Sequence, residues 1–202
     1  MTGAEHIQLL PLDPRGLKHL HPQARRSIFW EIAAADEALI RDSALEKEAW
    51  IIHASTTLGA CGFNLITPSE TLGTIFFCPP VLARGISRLP TGPVPRRAML
   101  LSSLFRTPHV GTAPVLIDAA LMHLTQLGID TVQAFGWRAS GREKLDWVPE
   151  RIGLMSEEEL QAAGFEVVRE HPVVPRLEIT LPPDTGELAE AARKALSAEL
   201  RC

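Results

Sequence analysis

The stretch Ala98–Gly128, AMLLSSLFRTPHVGTAPVLIDAALMHLTQLG, decides how this chain is read. It opens on Met99, Leu100, Leu101, Leu104 and Phe105, a run too apolar for an exposed sheet edge. Such a run reads as a strand buried on both faces, over Ala98–Phe105. A short loop, Arg106 to Gly111, follows. Leu116, Ala119, Ala120, His123 and Leu127 then recur at three and four, which predicts a helix over Val115–Leu127 stopped by Gly128. The helix is entered through Gly111, Thr112, Ala113 and Pro114. The first amides of a helix lack internal partners, and the helix dipole favours negative charge there. Small residues let a phosphate approach those amides; Thr112 is placed to cap, and Pro114 sits where a missing N–H costs nothing. The segment is suited to an anion such as a diphosphate. It equally suits a helix start that uses Gly and Pro for backbone geometry alone, since neither a Walker motif nor GxGxxG is present.

Working outward, His6–Leu12 reads as an edge strand ended by Asp13-Pro14. Gly16–Leu45 reads helical, with Ile28, Phe29, Ile32, Ala35 and Leu39 on one face and Pro22 splitting or bending it. Glu46–Ala54 becomes apolar at Trp50, Ile51 and Ile52 and is predicted as a strand. Gly59 and Gly62 mark a turn. Phe63–Ile66 and Leu72–Phe77 read as strands around the turn Thr67–Glu70, with Pro79-Pro80 closing the second. Val81–Arg97, rich in Pro and Arg, reads as a loop with at most one helical turn: either a solvated basic linker or a wall over an anionic ligand or an acidic substrate. Asp130–Gly136 is a further strand, and Trp137–Gly153 is irregular. Ser156–Glu159 opens a short helix with a capping-box pattern that ends at Ala162–Phe165. Glu166–Glu170 and Leu177–Leu181 read as two antiparallel strands. Asp184–Glu187 caps a last helix whose stripe is Leu188, Ala192, Ala195, Leu196 and Leu200. An isolated helix of that length is marginal in water, so it is expected to dock on its own body or on a second copy, as a homodimer. The order predicts an α/β or α+β chain with a central mixed sheet.

The 202 residues suit one domain, here 1–183, with an added helical arm, 184–202. Hydrophobic residues make up 46% and charged residues 22%, which excludes intrinsic disorder. A net charge of −4 argues against gripping nucleic acid by bulk charge. No apolar run is long enough to cross a membrane, and Met1–Leu10 lacks the features of a signal peptide, so a cytoplasmic protein is expected. Three cysteines without a CxxC pair make neither a disulfide framework nor a zinc knuckle. No metal is expected; His19 and His21 are a weak pair for one. Cys61 and Cys78 lie among apolar residues and read as packing rather than nucleophilic.

Several segments in order resemble the GCN5-related N-acetyltransferase (GNAT) superfamily. Leu100–Phe105 resembles that family's fourth strand. Gly111-Thr112-Ala113 resembles the end of its pyrophosphate-loop motif, (Arg/Gln)xxGx(Gly/Ala). Leu116–Gly128 resembles the long helix after it, and Thr131–Gly136 the fifth strand. Ala163-Gly164-Phe165-Glu166-Val167 is very like the late helix–GF–strand pattern, and Pro175–Ile179 suits the final strand. The resemblance covers Met99–Leu181 well and the N-terminal half loosely. It implies a central mixed, mostly antiparallel sheet flanked by helices, with the C-terminal helix outside the usual core.

The resemblance further implies acyl transfer from acetyl-CoA (coenzyme A as co-substrate) to a small-molecule or protein amine. It implies a pantetheine arm between the fourth and fifth strands, along the backbone of Leu104, Phe105 and Arg106. The amide cradle for the diphosphate maps to Val110, Gly111, Thr112, Ala113 and Pro114. The chain departs from the pattern in three places. The Arg/Gln position holds Pro108, the loop after Phe105 is short, and no tyrosine exists to protonate the leaving thiolate. Arg106 or His109 are candidates to replace the anchor, and Ser103 to replace the tyrosine, its other reading being a sheet hydroxyl. These departures raise an alternative: a degenerate domain that binds acyl-CoA or a partner without catalysis. His53 faces either the core or an acceptor cleft, His171 reads as structural or exposed, and Trp137 and Trp147 are placed after the fifth strand to line a cleft or pack.

Overall fold

A computed structural model describes residues 7–109, 111–140 and 149–182. The arm 184–202 and its stripe lie outside the described residues, as do Val110 and Trp147. Eight strands form one mixed sheet: β1 (Gln8–Pro11), β2 (Gly62–Ile66), β3 (Thr71–Cys78), β4 (Met99–Arg106), β5 (Thr131–Trp137), β6 (Met155–Ser156), β7 (Glu166–Arg169) and β8 (Arg176–Thr180). The order across the sheet is β1-β2-β3-β4-β5-β8-β7, with β6 paired to β5. The pairs β1–β2, β2–β3, β3–β4, β5–β8 and β7–β8 are antiparallel; β4–β5 and β5–β6 are parallel. β1 is an edge strand, as its sequence predicts.

Helices cover both faces. They are α1 (Pro22–Arg26), α2 (Ser43–Leu58), α3 (Thr112–Gln126) and α4 (Glu157–Ala162). Strand residues alternate between faces, so β3 feeds two cores. Ile75 and Phe77 pack with Leu101, Leu104, Leu116, Ala120 and Leu124 under α3. Phe76 packs the other way, with Leu12, Ala24, Ile51, Ala54 and Phe105 under α1 and α2. α3 links β4 to its parallel neighbour β5, the crossover that parallel pairing requires. Gly128, at φ +72°, ends it.

Two N-terminal expectations are corrected. Gly16–Leu45 is not a long helix: it holds α1, single 3-10 turns at Leu17–His19 and Glu37–Leu39, and the first residues of α2 from Ser43. Its supposed apolar stripe is no face, since Leu39 is 75% exposed while Trp30 and Glu31 are buried. Tertiary bonds hold this segment instead. The Trp30 indole donates to the Ile152 carbonyl, and Glu31 pairs with Lys47 at 2.5 Å in full burial. Pro22 starts α1 at its first position rather than bending a helix.

Glu46–Ala54 is not a strand but the middle of α2. The Asp42 carboxylate caps the helix by accepting from the Ala44 and Leu45 amides. Gly59, at φ +75°, ends it. The apolar trio that looked like a strand splits by helical phase, with Ile51 buried and Ile52 exposed. Lys47 is wholly buried because it has Glu31 and lies 4.7 Å from the Phe76 ring centroid.

Candidate active site

The site begins with one extra residue in β4. Phe76 lies opposite Ser103 while Phe77 lies opposite Leu101, so Ser102 bulges. A bulge bends its strand and increases the twist. The parallel pairing of β4 with β5 stops at the same level: it runs from Met99–Val132 to Leu101–Ala134 and no further. Beyond it β4 continues to Arg106 and β5 to Trp137. The two strands therefore part and leave a wedge, with β8 keeping the outer edge of β5.

The N-terminus of α3 stands just past the end of β4. Gly111 is the N-cap, at φ +88°, in the left-handed region that favours glycine. Thr112 does not cap the helix as expected: it is the first helical residue, and its side chain is buried. Ala113 is 2% exposed and belongs to the core under α3. Pro114 is exposed at the third helical position and brings no N–H. The Thr112 amide reaches the His109 carbonyl only at 3.5 Å.

A cleft of about 480 Å³ opens between these walls, lined by Leu104 to His109, Trp137, Leu154, Met155, Glu159 and their neighbours. Thr107 fixes its floor, donating to the Leu72 carbonyl through both N–H and Oγ1. His109 Nδ1 lies 2.8 Å from Thr107 Oγ1. Arg106 pairs with Glu159 across the cleft. Glu159 also closes the α4 capping box, accepting from the Ser156 amide while its own amide donates to Ser156 Oγ. Ser103 lies below, fully buried, and its hydroxyl has no partner among the described residues.

No family profile and no curated protein matches the sequence. Solved structures do match over nearly the whole fold. The PaiA N-acetyltransferase of Thermoplasma acidophilum, in complex with coenzyme A, aligns at TM-score 0.52 and 16% identity, covering 86% of this chain and 98% of that one. YncA of Salmonella typhimurium, with acetyl-CoA, aligns at 0.51 and 13% identity, covering 87% and 94%. The GNAT domain of S. lividans PAT aligns at 0.50 and 14% identity, covering 89% and 92%. This chain has the GNAT fold.

Within the GNAT fold, the expected residues fall into two groups. Leu104, Phe105 and Arg106 line the cleft, while Gly111 caps α3 and Thr112, Ala113 and Pro114 form its first turn beyond the lining. The Arg-rich loop 81–97 lines no part of the cleft. It packs Ile86, Leu89 and Val94 elsewhere in the core, while Arg84 pairs with Asp36 and Arg88 with Glu37. His53 is exposed on α2. His171 Nδ1 accepts the amides of Val173 and Val174 and so holds the turn before β8. His21 Nδ1 accepts the Gln23 amide at the start of α1. Among the described residues no cluster of His, Cys, Asp or Glu is arranged to hold a metal. Burial pushes the Cys61 thiol up to about 12 and the Cys78 thiol well above its ordinary value, so both stay protonated at neutral pH.

Sequence reasoning missed Glu159 and the run Gly153–Met155. Both sit at the wedge only through tertiary contact. The apolar character of Ile152-Gly153-Leu154-Met155 was the one available signal.

Proposed function

We propose that the protein transfers an acyl group from an acyl-CoA to an amine. The observation that carries this reading is the parting of β4 from β5 at the Ser102 bulge, directly before the N-terminus of α3. A wedge between parted strands presents backbone donors and acceptors to an extended amide chain, and the helix start beyond it takes a diphosphate. Coenzyme A has both parts in that order. The similar structures from T. acidophilum and S. typhimurium, which hold coenzyme A and acetyl-CoA, support the reading.

The chemistry asks three things of the chain. The attacking amine must lose a proton, the thioester oxygen needs a donor as it gains charge, and the departing sulfur needs a proton. A nitrogen–carbon bond forms as the carbon–sulfur bond breaks. The Leu104 amide is the donor on β4 nearest the bulge that faces the wedge. The Ser103 hydroxyl is buried beside it without a partner and is our candidate to protonate the sulfur. Arg106 is our candidate diphosphate ligand at the mouth, once it trades Glu159 for the ligand. The acceptor is a small-molecule or protein amine.

The test is acetyl-CoA incubated with a panel of amines and read by release of free thiol. Amine-dependent release assigns the transferase. Tight binding of acetyl-CoA without release under any amine assigns the non-catalytic acyl-CoA binder instead.

A further inference from the structure

The wedge between β4 and β5 is filled from within the chain. Met155 and Ser156 pair with Gly136 and Trp137 of β5. They do so on the edge that faces β4, because the outer edge is taken: Gly136 and Arg138 donate there to the carbonyls of Pro175 and Val173. On the other wall, the Leu104 amide donates to the Gly153 carbonyl at 2.7 Å. The four-residue run Gly153–Ser156 thus bonds to both parted strands. It is also held from behind. The buried Trp30 indole donates to the Ile152 carbonyl at 2.8 Å, and the Gln23 side chain donates to the Glu150 carbonyl at 3.2 Å. Gly153 is pressed onto β4 at φ +68°, and a Cβ there would lie 2.8–2.9 Å from the Phe105 ring and the Ser103 Cβ. Gly153 therefore sits against Ser103, whose hydroxyl has no partner among the described residues, as well as occupying the Leu104 amide.

We infer that residues 150–155 are a built-in competitor for the acyl-CoA arm, a plug that must leave the wedge before the ligand seats. The inference rests on the acyl-CoA reading above. One N–H cannot serve the Gly153 carbonyl and a ligand carbonyl at full strength. The mouth of the cleft, from Leu104 to His109, stays open while the plug is seated. A ligand that binds only the open form shows a dissociation constant raised by the inverse of the open fraction. Affinity for coenzyme A is then set by how firmly Trp30 and Gln23 hold the plug, and anything that loosens residues 150–155 switches the site on.

The test compares the parent with Gly153→Ala, which cannot keep its backbone pressed on Phe105, and with Trp30→Phe, which keeps a ring but loses the indole donor. Coenzyme A is titrated by calorimetry, and exchange of the Leu104 amide is followed by NMR. Each variant is expected to bind coenzyme A at least about fivefold tighter than the parent, with faster Leu104 exchange before ligand is added. Should Gly153→Ala fail to fold, Trp30→Phe decides alone. Equal affinity in all folded proteins, with Leu104 still slow to exchange in the free variants, overturns the plug and leaves the acyl-CoA reading standing. Faster Leu104 exchange in the variants with no coenzyme A binding in any protein overturns the acyl-CoA reading, and the plug's role as competitor with it.

Discussion

At the scale of single residues, the start of α3 separates two side chains that the sequence treats alike. Ala113 and Pro114 are neighbours in the first helical turn, yet Ala113 is buried against the sheet and Pro114 faces out. From sequence alone, Ala113→Glu is the substitution to repel a diphosphate while sparing the fold. The burial of Ala113 reverses that expectation. A carboxylate forced under α3 has no partner there, so Ala113→Glu is expected to cost about 3 kcal/mol or more of stability. Urea unfolding of the ligand-free protein checks this; a midpoint equal to the parent's would contradict the burial. Pro114→Glu is the substitution that does separate folding from binding. Its charge sits exposed at the positive end of the helix, worth about 0.3–1 kcal/mol in the folded state's favour. Under the proposed function the same charge would face the diphosphate, so coenzyme A affinity is expected to fall about tenfold, or about 1.4 kcal/mol. Calorimetry reads it, and undiminished affinity would place the cradle elsewhere.

At the scale of elements, caps and ion pairs decide where segments begin and what they hold. α2 exists as a helix because Asp42 caps it and Gly59 ends it, despite an apolar run that mimics a strand. Asp42→Ala is expected to cost about 1 kcal/mol by removing the acceptor for two otherwise unpaired amides. Thermal unfolding checks it, and no loss would argue against the cap. α4 is tied down at its first residue. Glu157 accepts from Arg138 at 2.5 and 2.8 Å, joining the end of β5 to α4. That bond holds the Glu157 carboxyl below its ordinary range and raises the Arg138 guanidinium. A carboxyl whose folded value lies below its unfolded one, about 4.3, stabilises the fold above that pH. The contribution is lost as pH falls through the folded value. The stability gap between the parent and Glu157→Gln is therefore expected to be constant from neutral pH to about 5 and to shrink below about 4. Denaturant melts across that range test it; a gap that widens on acidification would refute the assignment.

At the scale of the whole molecule, the GNAT fold brings together a bulged strand, its parted neighbour and a helix start, and coenzyme A should bind across all three. A ligand at about 100 times its dissociation constant, bound only by the folded state, adds about 2.7 kcal/mol, or about 5–10 °C in Tm for a chain of this size. Differential scanning calorimetry with millimolar coenzyme A measures it, and an unmoved melt would count against the proposed function. The sequence alone determined β4, α3 and β5, because a doubly buried strand and a long amphipathic helix carry their periods locally. It determined the α4 cap through Ser156 and Glu159 for the same reason: the two partners are one turn apart. It did not determine the segment between Gly16 and Leu58, where Trp30, Glu31 and Lys47 are buried only because partners distant in the chain receive them. Nor did it determine what fills the wedge. The Leu104 amide and the Gly153 carbonyl carry no sequence signal of their own, since backbone groups are the same in every residue. Only the tertiary structure, by parting β4 from β5 and leading Gly153 between them, could decide which carbonyl that amide meets.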